Sequence, residues 1–202
     1  MLGKDLKDKL DLIYKEYTEV LSKTDSQYNF QFVFSDGQMN KGVMLIGEAP
    51  GKDEVIQRKP FVGLAGGKLK LFMDSLGLNR EDLFVTNVIK YRLYSINAKT
   101  GRMKNRPAKK QEILLSQPYL INEINTVKPR IILTLGNVPL YALTNDSDIT
   151  IGKVHGKKIS FKDTRLNHEC ILIPMYHPAS LIYNKSLESI FEEDLLTVKS
   201  LI

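Results

Sequence analysis

The sequence predicts an α/β domain of three layers, α/β/α, around a central, mostly parallel four-stranded sheet. Three observations carry this. Four short, largely apolar runs, at residues 43–47, 83–88, 130–136 and 170–173, alternate with stretches of helical character. Gly, Asn or Pro closes or flanks the runs, and they read as continuous rather than alternating, as strands covered on both faces do. The 202 residues suit one such domain and are few for two.

Taken in order, Leu6, Leu10, Ile13, Tyr17 and Leu21 recur every three to four residues. That spacing predicts an amphipathic helix over about 4–22, ended by polar Asp25-Ser26-Gln27. Val43-Met44-Leu45-Ile46-Gly47 is the first strand, and a glycine-rich connection leads to a helix around Leu69–Met73 that stops near Gly77. Leu83-Phe84-Val85-Thr86-Asn87-Val88 is the second strand. Residues 93–110 form a basic loop with turn residues Asn97, Gly101 and Pro107. A helix is expected from Lys110 to Val127, and Pro129 then precedes the third strand. Cys170-Ile171-Leu172-Ile173 is the fourth, and Leu187–Leu201 a closing helix. There is no repeat and no low-complexity tract.

Composition narrows the function. Lys and Arg outnumber Asp and Glu by 29 to 23, a formal +6, which suits a polyanionic partner without requiring one. Six of those cations (Lys99, Arg102, Lys104, Arg106, Lys109 and Lys110) fall within residues 99–110, where there is no acid. Such a concentrated patch speaks for nucleic acid more than net charge does, although a solvated charged loop would read the same way. No apolar run approaches the ~18 residues of a membrane helix, so no membrane partner is expected. Met1-Leu2-Gly3-Lys4-Asp5 lacks an apolar signal-peptide core, from which a cytoplasmic protein is expected. The single cysteine, Cys170, excludes an internal disulfide and reads as a buried, inert thiol.

In parallel sheets ligands sit beyond the carboxyl ends of the strands. Glu48-Ala49-Pro50-Gly51 follows the first strand, Thr86-Asn87 ends the second, and Gly136-Asn137 ends the third. The fourth leads into Pro174-Met175-Tyr176-His177-Pro178. Polar residues far apart in sequence are thereby expected on one rim.

These residues carry a resemblance. GEAPG at 47–51, KPFVGLAGGKL at 59–69, LFVTNVIKYR at 83–92, KPRIILTLGN at 128–137 and IPMYHPASLI at 173–182 occur in the order of the family 4 uracil-DNA glycosylases. The chain resembles that family over about 43–198, and the resemblance implies a single uracil-DNA glycosylase-like domain spanning 1–202. It also implies a monofunctional enzyme of base excision repair, acting as a monomer on uracil in single- or double-stranded DNA. There are departures. Typical members hold an iron–sulfur cluster on four cysteines, whereas this chain lacks the N-terminal pair and has Tyr91 and Gln117 at the other two positions. One cysteine cannot supply four thiolates, so no cofactor is expected. The segment from Leu93 to Lys104 is longer than in typical members. It resembles a branch that binds uracil-DNA through an inserted basic loop with a reactive histidine, yet no histidine lies between Tyr91 and Lys110.

An enzyme cleaving uracil from DNA must extrude the nucleotide and hold the base. The resemblance implies a pocket walled by Gly47, Glu48, Ala49 and Gly51. Phe61 would stack on the base, its plain alternative being a core phenylalanine. Asn87 would pair with the uracil edge, where cytosine presents the reversed pattern; a strand-closing Asn in a turn is the alternative. His177 would donate to the carbonyl oxygen that gains charge as the base departs, against the alternative of a structural turn residue. Glu54 or Glu48 would activate water, the resemblance favouring Glu54, with Glu48 shaping the floor. Ser180 would meet phosphate or serve as a plain N-cap, Leu181 and Ile182 would wedge into the gap left by the flipped base or equally pack on the sheet, and Arg102, Lys104 and Arg106 would contact the backbone. No lysine is placed by motif for a Schiff base, so no strand cleavage is expected. His155 and His168 read as surface residues. Two other readings fit the same residues: a non-catalytic or very slow uracil-DNA binder, and a glycosylase for hypoxanthine or mismatched thymine.

Overall fold

The computed structural model describes residues 2–25, 28–38, 42–75 and 77–202, with residues 2 and 3 in backbone only. The chain begins α1 (Leu2–Thr24), β1 (Asp36–Gly37), β2 (Val43–Gly47), α2 (Lys52–Gln57), α3 (Leu64–Ser75), β3 (Phe84–Asn87). A hairpin of β4 (Tyr94–Ile96) and β5 (Met103–Asn105) follows, then α4 (Lys110–Val127), β6 (Ile131–Leu135), α5 (Asn137–Thr144) and α6 (Ile151–Val154). The chain closes with β7 (Ile159–Phe161), β8 (Cys170–Met175), α7 (Pro178–Tyr183) and α8 (Leu187–Lys199). Of the polar stop expected after α1, Ser26 and Gln27 lie outside the described residues.

The main sheet has the order β1-β3-β2-β6-β8-β7. The four strands read from the apolar runs are its centre, and β3, β2, β6 and β8 pair in parallel. The sheet is six-stranded rather than four-stranded, because β1 and β7 add an antiparallel strand at each edge. With two and three residues these strands are too short to show a period. Alternate residues divide between two cores: Met44, Ile46, Phe84 and Ile132 face α1 and α4, whereas Val43, Leu45, Val85 and Leu133 face α3 and α8. This alternation makes the three layers.

The basic segment is a second correction: its centre is a two-stranded hairpin, not a loop. Asn97 Oδ1 accepts from the N–H groups of Lys99 and Thr100, and Gly101 takes φ +66°, which closes the turn. The hairpin stands beside the carboxyl end of β3, where the site forms.

One buried polar network crosses the first core. Lys90 and Glu123 are 1% and 0% exposed, with Nζ 2.6 Å from Oε2. Lys90 also donates to Thr86 Oγ1 at 2.7 Å and to the Asn87 carbonyl at 2.5 Å. Glu123 accepts from Thr86 and from the Tyr14 hydroxyl. Burial, and then the Glu123 charge, hold Tyr14 a neutral donor by raising its pKa. The network joins α1, the end of β3 and α4. Breaking a buried pair from one side leaves a charge without its partner, at ~3–5 kcal/mol. Lys90→Met is therefore expected to lower unfolding stability in urea by about that much. Adding Glu123→Gln should recover part of the loss; recovery of none would show that the pair is not coupled.

Candidate active site

A cleft of about 370 Å³ opens beyond the carboxyl ends of β2, β3 and β8. Residues 49–54, Phe61, Asn87 and His177 all line it. Register explains part of the convergence. Gly47 pairs with Asn87 across β2 and β3, so the two strands end side by side. A Cβ on Gly47 would lie 2.4 Å from Phe61 Cζ and 2.5 Å from Asn87 Oδ1, so only glycine leaves room for both. The Phe61 ring is mostly buried and also belongs to the second core, so it is a core side chain and a cleft wall at once. Its φ of +54° is rare for a bulky residue. Arg80 holds this turn by donating to the carbonyls of Pro60, at 2.6 Å, and Phe61, at 3.4 Å. Asn87 is buried, and its carboxamide has no hydrogen bond among the described residues.

Glu54 sits in the first turn of α2 and is bound by backbone. Oε2 accepts from Gly51 N–H at 3.1 Å, and Oε1 from Val62 and Gly63 N–H at 3.0 and 2.7 Å. One carboxylate thus ties the start of α2 to the turn that carries Phe61. Glu48 differs. Its Oε1 accepts from Ala108 N–H at 2.8 Å, and no described residue bonds Oε2. Its side chain faces an adjoining cleft that shares Gly51, Asn105 and His177 with the first. Burial, with Glu112 adding to it, raises the Glu48 pKa above the ordinary carboxylate value, against the Ala108 hydrogen bond.

His177 caps α7. Its Nδ1 accepts from Ala179 N–H at 3.1 Å, which leaves the proton of the neutral ring on Nε2. Burial pushes its pKa down to about 4, although the Glu54 charge pulls the other way. The ring lies 6.0 Å from that of Phe61, centroid to centroid. The site therefore holds a neutral N–H donor, an unbonded carboxamide, an aromatic wall and a desolvated carboxylate.

The residues expected to contact DNA divide. Arg102 and Lys104 are exposed on the hairpin and make no ion pair among the described residues. Arg106 is instead held by Glu112, at 2.9 and 2.5 Å, so its charge is already paired. Ser180 is half-buried beside the adjoining cleft. Leu181 corrects the expectation of an exposed wedge: it is 1% exposed, packed in the second core. Helix α7 turns Ile182 and Tyr183 outward instead, both on the cleft wall, with Tyr183 89% exposed. His155 is no free surface residue, since Nδ1 bonds the Asp194 carboxylate at 3.1 Å. Sequence reading missed Asn105, which lines both clefts from the end of β5, and Lys52, which stands exposed on the rim. Hairpin alternation would have separated Asn105 from Lys104, had the hairpin been seen.

The residues at the family's cluster positions do not fit an iron–sulfur cluster. Tyr91 is buried among the rings of Tyr17, Tyr28, Phe30 and Phe32. Gln117 Nε2 donates to the Ala142 carbonyl and Asn145 Oδ1. Cys170 lies buried in β8, where burial raises its thiol pKa to about 11.

The chain is similar to known proteins over most of its length. Residues 34–197 match the model of the Uracil DNA glycosylase superfamily. A "Type-4 uracil-DNA glycosylase" of Saccharolobus solfataricus is 37% identical over 196 residues, which is 95% of this chain and 86% of that protein. Proteins of the same name from Sulfurisphaera tokodaii and Archaeoglobus fulgidus are 33% and 32% identical, covering 96% and 90% of this chain and 85% of each relative.

The His177 geometry has a direct test. Nitrogen-15 NMR of the imidazole is expected to show a neutral ring protonated on Nε2 from pH 8 down to about 5, with titration only near 4. A ring titrating at its ordinary value, or protonated on Nδ1, would contradict it.

Proposed function

The chain belongs to the uracil DNA glycosylase superfamily, and from that premise we propose that it is a monofunctional glycosylase. It hydrolyses the N-glycosidic bond of uracil in DNA and leaves an abasic site for base excision repair. The convergence of Phe61, Asn87 and a Nε2-protonated His177 on one cleft carries this reading.

The extruded uracil stacks on Phe61, and the free carboxamide of Asn87 donates to a ring carbonyl while accepting from the ring N–H. Cytosine reverses that pattern and leaves buried groups unpaired. As the bond from the sugar to the base nitrogen breaks, negative charge spreads onto the uracil carbonyl oxygen facing His177. A neutral Nε2–H donor stabilises that charge without having to transfer its proton. Glu48 accepts a proton from the attacking water as the new carbon–oxygen bond forms, and its negative charge offsets the cationic character of the sugar. Glu54 is assigned a different task from water activation. Three backbone N–H groups already occupy its oxygens, so it positions Gly51 and Phe61.

Arg102 and Lys104 neutralise backbone phosphates, and Ser180 lies where a further phosphate passes. Ile182 keeps the wedge position first read for it and Leu181, and Tyr183 beside it adds an aromatic face suited to stacking on exposed bases. The reading takes the chain as acting as a monomer, on single- and double-stranded DNA alike. Among the described residues no helix is long and apolar enough to cross a membrane.

End-labelled oligonucleotides containing uracil, inosine or a T·G mismatch test the reading. Strand breaks are expected at uracil, and only after alkali. Tight retention without breaks would favour the binder, breaks confined to inosine or T·G another base, and breaks without alkali a lyase. On uracil, Glu48→Gln should cost about 10²–10⁴ in rate and His177→Ala about 10²–10³. The Glu48 pKa is raised, so its base form and kcat/KM are lost as pH falls through a value above the ordinary 4.5. His177 stays neutral through that range. The residual activity of Glu48→Gln should therefore lack this acid limb; an unchanged limb would move the base elsewhere.

A further inference from the structure

We infer that Asn105, delivered by the β4–β5 hairpin, is a substrate-binding residue whose Nδ2–H donates to a sugar or phosphate oxygen of the extruded nucleotide. The inference rests on the proposed uracil-excising site and adds a recognition element to it.

The orientation of this amide is fixed by chemistry. Arg92 Nε lies 2.9 Å from the Asn105 side-chain oxygen, and an arginine N–H can only donate. The atom facing Arg92 must then be Oδ1, and Nδ2 is turned the other way. It points at the glycine loop: a Cβ on Gly51 would stand 3.2 Å from Nδ2. Arg92 is itself buried, so the anchor is rigid although Asn105 is exposed. No described residue accepts from Nδ2, which leaves a held donor facing open space.

Its place selects the partner. Asn105 lines the cleft of Phe61 and Asn87 and also the adjoining cleft of Glu48, so it stands where the two meet. Asn87 and His177 reach the base edge from strand ends deep in the site. Asn105 comes from an exposed hairpin at the mouth, where the deoxyribose and its phosphate remain once the base is inside. A donor there, beside the carboxylates of Glu48 and Glu54, has acceptor oxygens of the nucleotide as its complement.

The test uses an oligonucleotide with a tetrahydrofuran abasic-site analogue, which keeps the phosphates and ring oxygen and has no base. Its affinity for the full chain is read by fluorescence anisotropy, against an undamaged oligonucleotide. Asn105→Ala is expected to weaken analogue binding about tenfold, the scale of a hydrogen bond to a charged group, with undamaged DNA unaffected. Asn105→Asp keeps an acceptor for Arg92 but replaces the donor by a carboxylate, so it should bind the analogue more weakly than Asn105→Ala. Binding of free uracil, read separately by NMR titration, should be unchanged in both, and thermal melting should confirm that both fold. Wild-type affinity in either variant would overturn the inference, as would equal losses on undamaged DNA or a selective loss of free-uracil binding. Because nothing is cleaved, the result stands apart from whether the wild-type chain excises uracil.

Discussion

The buried contact between Lys90 and Glu123 is the constraint on which the site depends. An ammonium and a carboxylate removed from water are costly unless each finds a full set of partners. Here Lys90 has Thr86, the Asn87 carbonyl and Glu123. Glu123 is in turn completed by Tyr14 and Thr86. The Asn87 backbone is thereby fixed from beneath, at the point where β3 leaves the sheet. Its carboxamide takes no part and is left for the cleft. The surrounding aromatic rings, with Tyr17 and Tyr91 at their centre, brace the same junction of α1, α4 and the strand end.

Above this foundation the charges are sorted by their surroundings. Two glutamates six residues apart differ because one meets three backbone N–H groups and the other a single one beside a half-dry cleft. Glu54 is locked into the loop; Glu48 keeps one oxygen that no described residue bonds and a pKa above its ordinary value. His177 is held neutral by burial, and one backbone N–H selects its tautomer. Both groups are set before any substrate arrives, which is the condition for electrostatic stabilisation without reorganisation at the moment of reaction.

Much of this was legible in the sequence, and the exceptions have physical reasons. The four central strands were visible because strands buried on both faces are apolar over their whole length. The edge strands were not, since two or three residues carry no period. The rule that ligands lie beyond strand ends brought Gly47, Asn87 and His177 to one rim; the register of β2 against β3 sets Gly47 beside Asn87, and Asn87 and His177 line one cleft. The resemblance favoured Glu54 over Glu48 for activating water, whereas which backbone N–H groups fold back onto each carboxylate is visible only in three dimensions. Of the two wedge candidates Leu181 turns inward and Ile182 outward for a similar reason: a six-residue helix has no readable phase, so which side chain turns outward emerges only in three dimensions. Arg106 looked like its basic neighbours until Glu112, one turn into α4, claimed it.

The central claim is that the cleft formed by Phe61, Asn87 and His177 is a pocket shaped for uracil. Titrating the full chain with free uracil and, separately, free cytosine, while following its NMR resonances, tests this most directly. The account predicts saturable shifts with uracil at the Asn87 carboxamide, the His177 Nε2–H and the Phe61 ring, and none of comparable size with cytosine. Equal shifts with both bases, or uracil shifts confined to other parts of the surface, would contradict it.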